Sequence, residues 1–431
     1  LEGKAITFAV GGRPVFEEGS PLHDYWRSTY AREAFSGAGE GSNRRGLCLI
    51  TGQDGMPIAE SHKPEIRGVP GLPAKGGYLV SFAREAPALA SYGFEGSMNA
   101  PVSEEAVAAY ALGLNHLLDR DQPFARTIQN AFVVCSWVRG DCDIRYEVNG
   151  ALLESNDEDV KKLFEYLAAG DRPGVIHPPH FHSITLAANG GRVVVRRWLD
   201  EPLSTVVAHF KRWHDDLELQ EFPTASPRRR YRAIPALAET TARTPDDVRC
   251  ETYDALYRAA LEGPRSNPGA LLPRVLHRLR VAAVQDGANV RYHTSRFAMI
   301  KLILNRLKEP PMTFQPVLCD DSQDPAYNCG RLLAVLDDIQ FLAHEGEVGA
   351  DVLARFYGNA STFPRNVFPR LLRLTNAHLN KLTRDRPGVA TVLRARVNDI
   401  CAHFSGLGPG ATPEFPGQLD IRGQGRFALG L

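Results

Sequence analysis

His182 to Trp198 reads HSITLAANGGRVVVRRW, two β-rich runs joined by Asn189-Gly190-Gly191. The Asn-Gly pair supplies the positive φ values of a tight turn, so the stretch predicts a β-hairpin and antiparallel strands in the first half of the chain. Further runs in that half have the length and β-branched or aromatic content of buried strands: Leu47 to Thr51 (LCLIT), Tyr78 to Phe82 (YLVSF) and Phe132 to Trp137 (FVVCSW). Two helices interleave with them. One follows the cap residue Ser103 and carries Val107, Tyr110, Leu114 and Leu117. The other opens on the capping box Ser155-x-x-Glu158, carries Val160, Leu163, Phe164 and Leu167, and stops at Gly170.

Beyond a polar, arginine-rich linker, Thr224 to Arg232 (TASPRRRYR), strand signals fade. Helices are expected from 233 to 308, punctuated by Gly263-Pro264, Asn267-Pro268-Gly269 and Asp286-Gly287, and closed by Glu309-Pro310-Pro311. From 312 to 405 the pattern is again helical, with Leu332, Val335, Leu336 and Ile339 able to share a core with Val392, Val397 and Ile400. The expected class is α+β: a mixed α/β domain over 1–225 with antiparallel strands, a basic helical segment over 226–311, and an all-helical C-terminal bundle over 312–431.

A chain of 431 residues, 43% hydrophobic, is long enough for two or three cores. Lys plus Arg equals Asp plus Glu at 50 each, so any polyanion partner must be read from where charges lie. No run approaches the roughly 18 to 20 apolar residues of a membrane span, and Leu1-Glu2-Gly3-Lys4 does not open a signal peptide, which predicts a cytoplasmic protein without membrane contact. The opening without Met and the close at Phe427-Ala428-Leu429-Gly430-Leu431 predict a piece of a longer protein. Seven scattered cysteines without a C-x-x-C pair predict reduced, mostly buried thiols.

Catalytic and metal signals are weak. His177-Pro178-Pro179-His180-Phe181-His182 places three imidazoles close together, with His180 and His182 able to share a face, but no Cys or carboxylate adjoins them. His214-Asp215 is an HD pair of the phosphohydrolase kind, yet Leu203, Val206, Val207, Phe210, Trp213 and Leu217 explain the segment as a packed helix. The glycine-rich Ser36 to Ser42 lacks the Gly-Lys-Ser/Thr ending of a phosphate loop. The reading is a non-enzyme with no catalytic residue, metal or cofactor.

Charge placement says more. Residues 265–308 hold nine cations (Arg265, Arg274, Arg278, Arg280, Arg291, Arg296, Lys301, Arg306, Lys308) against Asp286 alone. Residues 365–396 hold eight (Arg365, Arg370, Arg373, Lys381, Arg384, Arg386, Arg394, Arg396) against Asp385. A solvated helix face normally mixes both signs, so both segments point to a polyanion. On a helix expected to start at Pro369, Arg370, Arg373, Lys381 and Arg384 share one side and Phe368, Leu371, Leu372, Leu379 and Leu382 lie across from them. A third candidate is the loop Lys63 to Gly77, whose glycines permit close approach and whose Lys63, Arg67 and Lys75 can meet phosphates; a plain solvated hairpin loop accounts for it equally well. The candidate nucleic-acid-binding set is therefore Lys63, Arg67, Lys75, Arg274, Arg278, Lys301, Lys308, Arg370, Arg373, Lys381 and Arg384.

Six segments in order along the chain resemble one family: CLITGQDGMPIAESHKPEIRGV (48–69), GYLVSFAREAPALASYGFEGSMNAPVSEEAVAAYALGLNHLL (77–118), ITLAANGGRVVVRRW (184–198), DPAYNCGRLLAVLDDIQ (324–340), FYGNASTFPRNVFPRLLRLTNAHLNKL (356–382) and QGRFALGL (424–431). The family is the large subunit of type I-C CRISPR Cascade surveillance complexes. Departures fall at Gly71 to Gly77, where the family is Gln and Ser-rich, and at Thr127 to Ala131, where it has Gly-Asp-Thr; its members also carry a further N-terminal segment. The resemblance implies an RNA-guided assembly that includes backbone, 5′-end-capping and small subunits. In it this subunit would help recognise adjacent-motif DNA, hold the displaced strand of the R-loop and dock a helicase-nuclease, while guide pairing supplies sequence specificity. It also implies a separate small subunit from an internal start, for which Met312 is placed.

Two other readings remain in view. A metal-dependent nuclease or phosphohydrolase would use His177, His180, His182 or His214 with Asp215 and would purify with bound metal. A protein-only adaptor would show no salt-sensitive DNA affinity.

Overall fold

The computed structural model describes residues 9–10, 13–14, 20–22, 24–25, 44–82, 93–140, 148, 150–151, 154, 156–169, 178–220, 231–307, 313–404 and 414–431. The glycine-rich 36–42, Ser155, Gly170, His177, the linker core 224–230, Lys308 and the 309–312 break lie outside them. The fold is α+β. The chain forms two compact units, Leu1–Trp137 with His182–Leu199, and Val138–Phe181 with Asp200–Leu431.

The first unit carries two short antiparallel pairs, β1 (Ala9–Val10) with β2 (Arg13–Pro14) and β3 (Arg45–Gly46) with β4 (Met56–Pro57). The main sheet has the order β5 (Ala125–Ile128), β6 (Phe132–Arg139), β7 (His180–Asn189), β8 (Arg192–Pro202). The predicted hairpin is present as β7 and β8, but Gly190 (φ 55°) and Gly191 (φ 81°) make the turn, one residue later than the Asn-Gly pair. Two glycines carry positive φ without steric cost, so Asn189 stays in the strand. Val133, Cys135, Ile184, Leu186 and Val193 pack with Ile66, Val69 and the residues Ala111, Leu114 and Leu118 at helix α1 (Glu104–Leu117). Ser103 caps α1, its hydroxyl accepting from the Ala106 N–H at 3.3 Å.

Two expected strands are absent. In LCLIT only Cys48 enters a core, with Ala59, Val102, Ala106 and Val107, while Leu47, Leu49 and Ile50 are exposed around a turn closed by the Gly52 N–H to Cys48 carbonyl bond. In YLVSF only Tyr78 pairs, as an isolated parallel bridge to Arg192. Apolar content alone does not make a strand, and among the described residues neither run has a partner strand along its length.

The second unit is helical: α2 (Asp157–Ala169), α3 (Leu203–Leu217), α4 (Ile234–Glu239), α5 (Cys250–Leu261), α6 (Leu272–Asp286), α7 (Thr294–Arg306), α8 (Pro325–Ala343), α9 (Val352–Ala360), α10 (Pro364–Asp385), α11 (Pro387–Ala402) and α12 (Ile421–Leu429). Helix α8 packs against α9, α10, α11 and α12, and α12 reaches back onto α6 and α7. The α8–α12 approach is so close that a Cβ on Gly330 would lie 2.0 Å from the Phe427 carbonyl oxygen, so only glycine fits there. Leu332, Leu336, Ile339, Val397 and Ile400 are buried as expected; Val392 is exposed because Ala390 and Leu393 take the inward positions of α11. Helix α10 begins one turn earlier than expected, with Pro364 in its first turn and Pro369 inside it. Pro369 forgoes a single hydrogen bond near the helix start, and the helix ends at Asp385, just before Arg386-Pro387-Gly388.

Candidate nucleic-acid interface

Helix α10 separates charge from core. Val367, Phe368, Leu371, Thr375, Leu379 and Leu382 are buried, with Phe368 stacked on Phe415 at 5.0 Å between centroids. Arg370, Arg373 and Arg384 are exposed and Lys381 is half-buried. Their Cα atoms span fourteen residues, roughly 21 Å at 1.5 Å per residue. The following helix α11 adds exposed Arg394 and Arg396. Among the described residues none of these six has a carboxylate within ion-pair distance. Arg365, at the start of the helix, is paired with Glu414 at 3.4 Å and bonds the Phe415 carbonyl.

In the other basic segment several cations are engaged by residues distant in sequence, three of them by carboxylates. Arg265 pairs with Glu201 at 2.6 Å, and Arg291 with Asp337 at 3.0 Å and Asp338 at 2.6 Å. Arg280 bonds Thr362 and Gln424. Lys301, 2% exposed, donates to the Asp215 and Asp216 carbonyls at 3.0 and 3.1 Å, and burial pushes its ammonium below the usual lysine range against the pull of Asp216. This corrects its assignment as a phosphate contact, because so deeply buried an ammonium cannot meet one. Arg306 is equally enclosed. Its Nε reaches Asp216 at 3.0 Å, and it bonds the Gly263 and Ser266 carbonyls and lies 5.7 Å from the Trp213 ring. Arg274 and Arg278 are half-buried on α6, and burial first, then the nearby Arg278 charge, lowers the pKa of Arg296. Lys308 lies outside the described residues.

In the first unit, Lys63, Arg67 and Lys75 are all exposed on a loop that is pinned at its base. Ile66 and Gly77 exchange backbone bonds of 2.8 and 2.9 Å, and Asn115 of α1 accepts from the Arg67 N–H at 2.8 Å and donates to the Glu65 carbonyl at 2.9 Å. Tyr78 donates to Glu65 at 2.7 Å, which holds that carboxyl below its ordinary range. Gly76 sits at φ 98° with room for no Cβ, since one would lie 2.6 Å from the Ile66 carbonyl oxygen. At this position glycine provides a tight closure of the loop.

The histidines occupy separate settings. His180 bonds Asp200 at 3.1 Å, whereas His182 stacks on Trp137 at 5.3 Å. His214 is caged by Phe210, Tyr231 and Phe164 at 4.4, 4.8 and 6.0 Å, and burial lowers its pKa to about 3. Asp215, its neighbour, is exposed and pairs with Lys211 at 2.9 Å. Among the described residues no three His, Cys, Asp or Glu side chains converge on a metal-sized site, and no helix is long and apolar enough to cross a membrane.

Compared with known proteins, the chain matches over residues 1–431 the sequence model of a family described as CRISPR-associated protein (Cas_Csd1). No curated protein matches it.

Proposed function

The chain belongs to the CRISPR-associated Cas_Csd1 family, and on that premise we propose that it is the non-catalytic large subunit of a type I-C Cascade complex. In this reading it works in the cytoplasm beside guide-RNA-bearing backbone, 5′-end-capping and small subunits. It helps recognise adjacent-motif DNA, holds the displaced strand and offers a surface to a helicase-nuclease. The observation that carries the reading is the α10 face, where four cations stand without carboxylate partners among the described residues, while in the other basic segment Arg265, Arg291 and Arg306 are paired with carboxylates. A row of that kind follows the phosphates of a single strand by electrostatics alone. The loop bearing Lys63, Arg67 and Lys75 is a second contact, rigid at its base and basic on its outside.

The test replaces Arg370, Arg373, Lys381 and Arg384 together with Gln in the assembled complex. The slope of log affinity for target DNA against log salt should fall by up to about 3 units, from roughly 0.7 for each phosphate no longer neutralised, with the melting temperature unchanged. Unchanged affinity and slope would remove α10 from the interface.

A further inference from the structure

Trp198 stands on the edge strand β8 and is 53% exposed, although large aromatic rings ordinarily bury themselves. It is not loose. Its ring centroid lies 5.8 Å from His182 and 5.6 Å from Trp137, and Trp137 and His182 are stacked at 5.3 Å with 24° between their planes. The three distances close a triangle, so each ring is braced by two others. Beneath them, the buried Ser136 hydroxyl donates to Ser183 at 3.0 Å and locks β6 to β7 beside two of the rings. Rotamer freedom that a ligand would otherwise have to suppress is already suppressed.

The charge along the same strand selects among ligands. Arg192 and Arg196 are exposed, and neither has a carboxylate partner among the described residues. The acids that follow are engaged elsewhere, Asp200 with His180 and Glu201 with Arg265. A rigid indole face on the same strand as two exposed, unpaired arginines suits a π-faced anion chain, and every nucleobase offers such a face next to a phosphate. An acidic peptide would satisfy the arginines but leave the indole without a flat partner.

We propose that Trp198 is a stacking platform for an unpaired base of a single-stranded nucleic acid, with Arg192 and Arg196 taking adjacent phosphates. The proposal rests on the reading of this chain as a nucleic-acid-binding subunit and assigns a ligand to a site that basic clusters alone do not mark.

The experiment compares binding of a 20-nucleotide oligodeoxythymidine with that of an abasic strand of equal length and charge, using the full chain. The wild-type chain should prefer the base-bearing strand by about tenfold to a hundredfold, with quenching of tryptophan fluorescence on binding. Trp198→Ala should abolish the preference while leaving affinity for the abasic strand in place, and Trp198→Phe should keep most of it. An equal drop in affinity for both strands in Trp198→Ala would overturn the platform and assign the ring a structural role. An undiminished preference in Trp198→Ala would overturn it as well. If the platform fails while the fourfold α10 variant still lowers the salt slope, the subunit reading stands alone; if the wild-type chain binds neither strand, both fall together.

Discussion

Arg306 of α7 and Asp216 of α3, ninety residues apart, form a 3.0 Å ion pair in which each side chain is only 3% exposed. Arg212 reaches the same carboxylate at 3.3 Å, and Lys301 bonds the adjacent backbone carbonyls. The pair ties the helix after the sheet to the middle of the bundle. Removing one partner leaves the other charged and enclosed. Asp216→Ala should therefore destabilise the fold by about 3–5 kcal/mol, read as a lower urea midpoint. A loss under about 1 kcal/mol would mean that water replaces the carboxylate at little cost.

His214 gives a pH signature. Its pKa is about 3 in the fold, chiefly from burial, against an ordinary 6.5, so between those values the unfolded chain binds more protons than the native one. Stability from this group is then complete above about pH 6.5 and declines as the pH falls toward 3. His214→Phe, which keeps the aromatic cage filled, should flatten the dependence of unfolding free energy on pH between 6.5 and 4.5. An unaltered slope in that variant would place the titrating group elsewhere.

Cations that look alike in sequence should separate by assay. Arg373→Gln on α10 should leave the melting temperature within a degree or two and lower the DNA salt slope by about 0.7. Lys301→Gln should do the reverse, since its ammonium holds two internal carbonyls. Matching effects from the two variants would contradict the division between surface and interior.

Residues 313–431 do not bury all their apolar area among themselves. Gly425 of α12 packs so closely on α7 that a Cβ there would meet Leu304 at 3.3 Å and Ile300 at 3.5 Å, and Arg291 crosses to Asp337. A 231–431 fragment should therefore unfold cooperatively and at a higher urea midpoint than a 312–431 fragment. Equal midpoints would show that the last five helices are self-sufficient.

Much of this was legible in local sequence. The hairpin, β6, the Ser103 cap and the two-sided character of α10 each depend on residues within one or two turns or strands of one another. What could not be read locally was partnership at long range. LCLIT and YLVSF carry strand-forming residues but have no strand alongside among the described residues. The 265–308 cations look unopposed in sequence because Glu201, Asp216, Asp337 and Asp338 lie outside that window. Lys301 reads as a phosphate contact for the same reason, whereas no distant acid reaches Arg370, Arg373, Lys381 or Arg384 of α10 among the described residues. Trp198 has a visible signal, a tryptophan in an arginine-bearing strand, but only the ring distances distinguish a braced indole from an ordinary strand residue.

The internal pairing also changes what electroneutrality means for this chain. With 50 basic and 50 acidic residues it has no net monopole, yet the acids taken up by Arg265, Arg291 and Arg306 are not paired with the cations Arg370, Arg373, Lys381 and Arg384 along α10. A molecule of that kind is pulled by a polyanion less through total charge than through torque. It should turn its basic helix toward the strand before contact, and that orienting effect will fade once salt shortens the reach of the field to about 8 Å at physiological ionic strength.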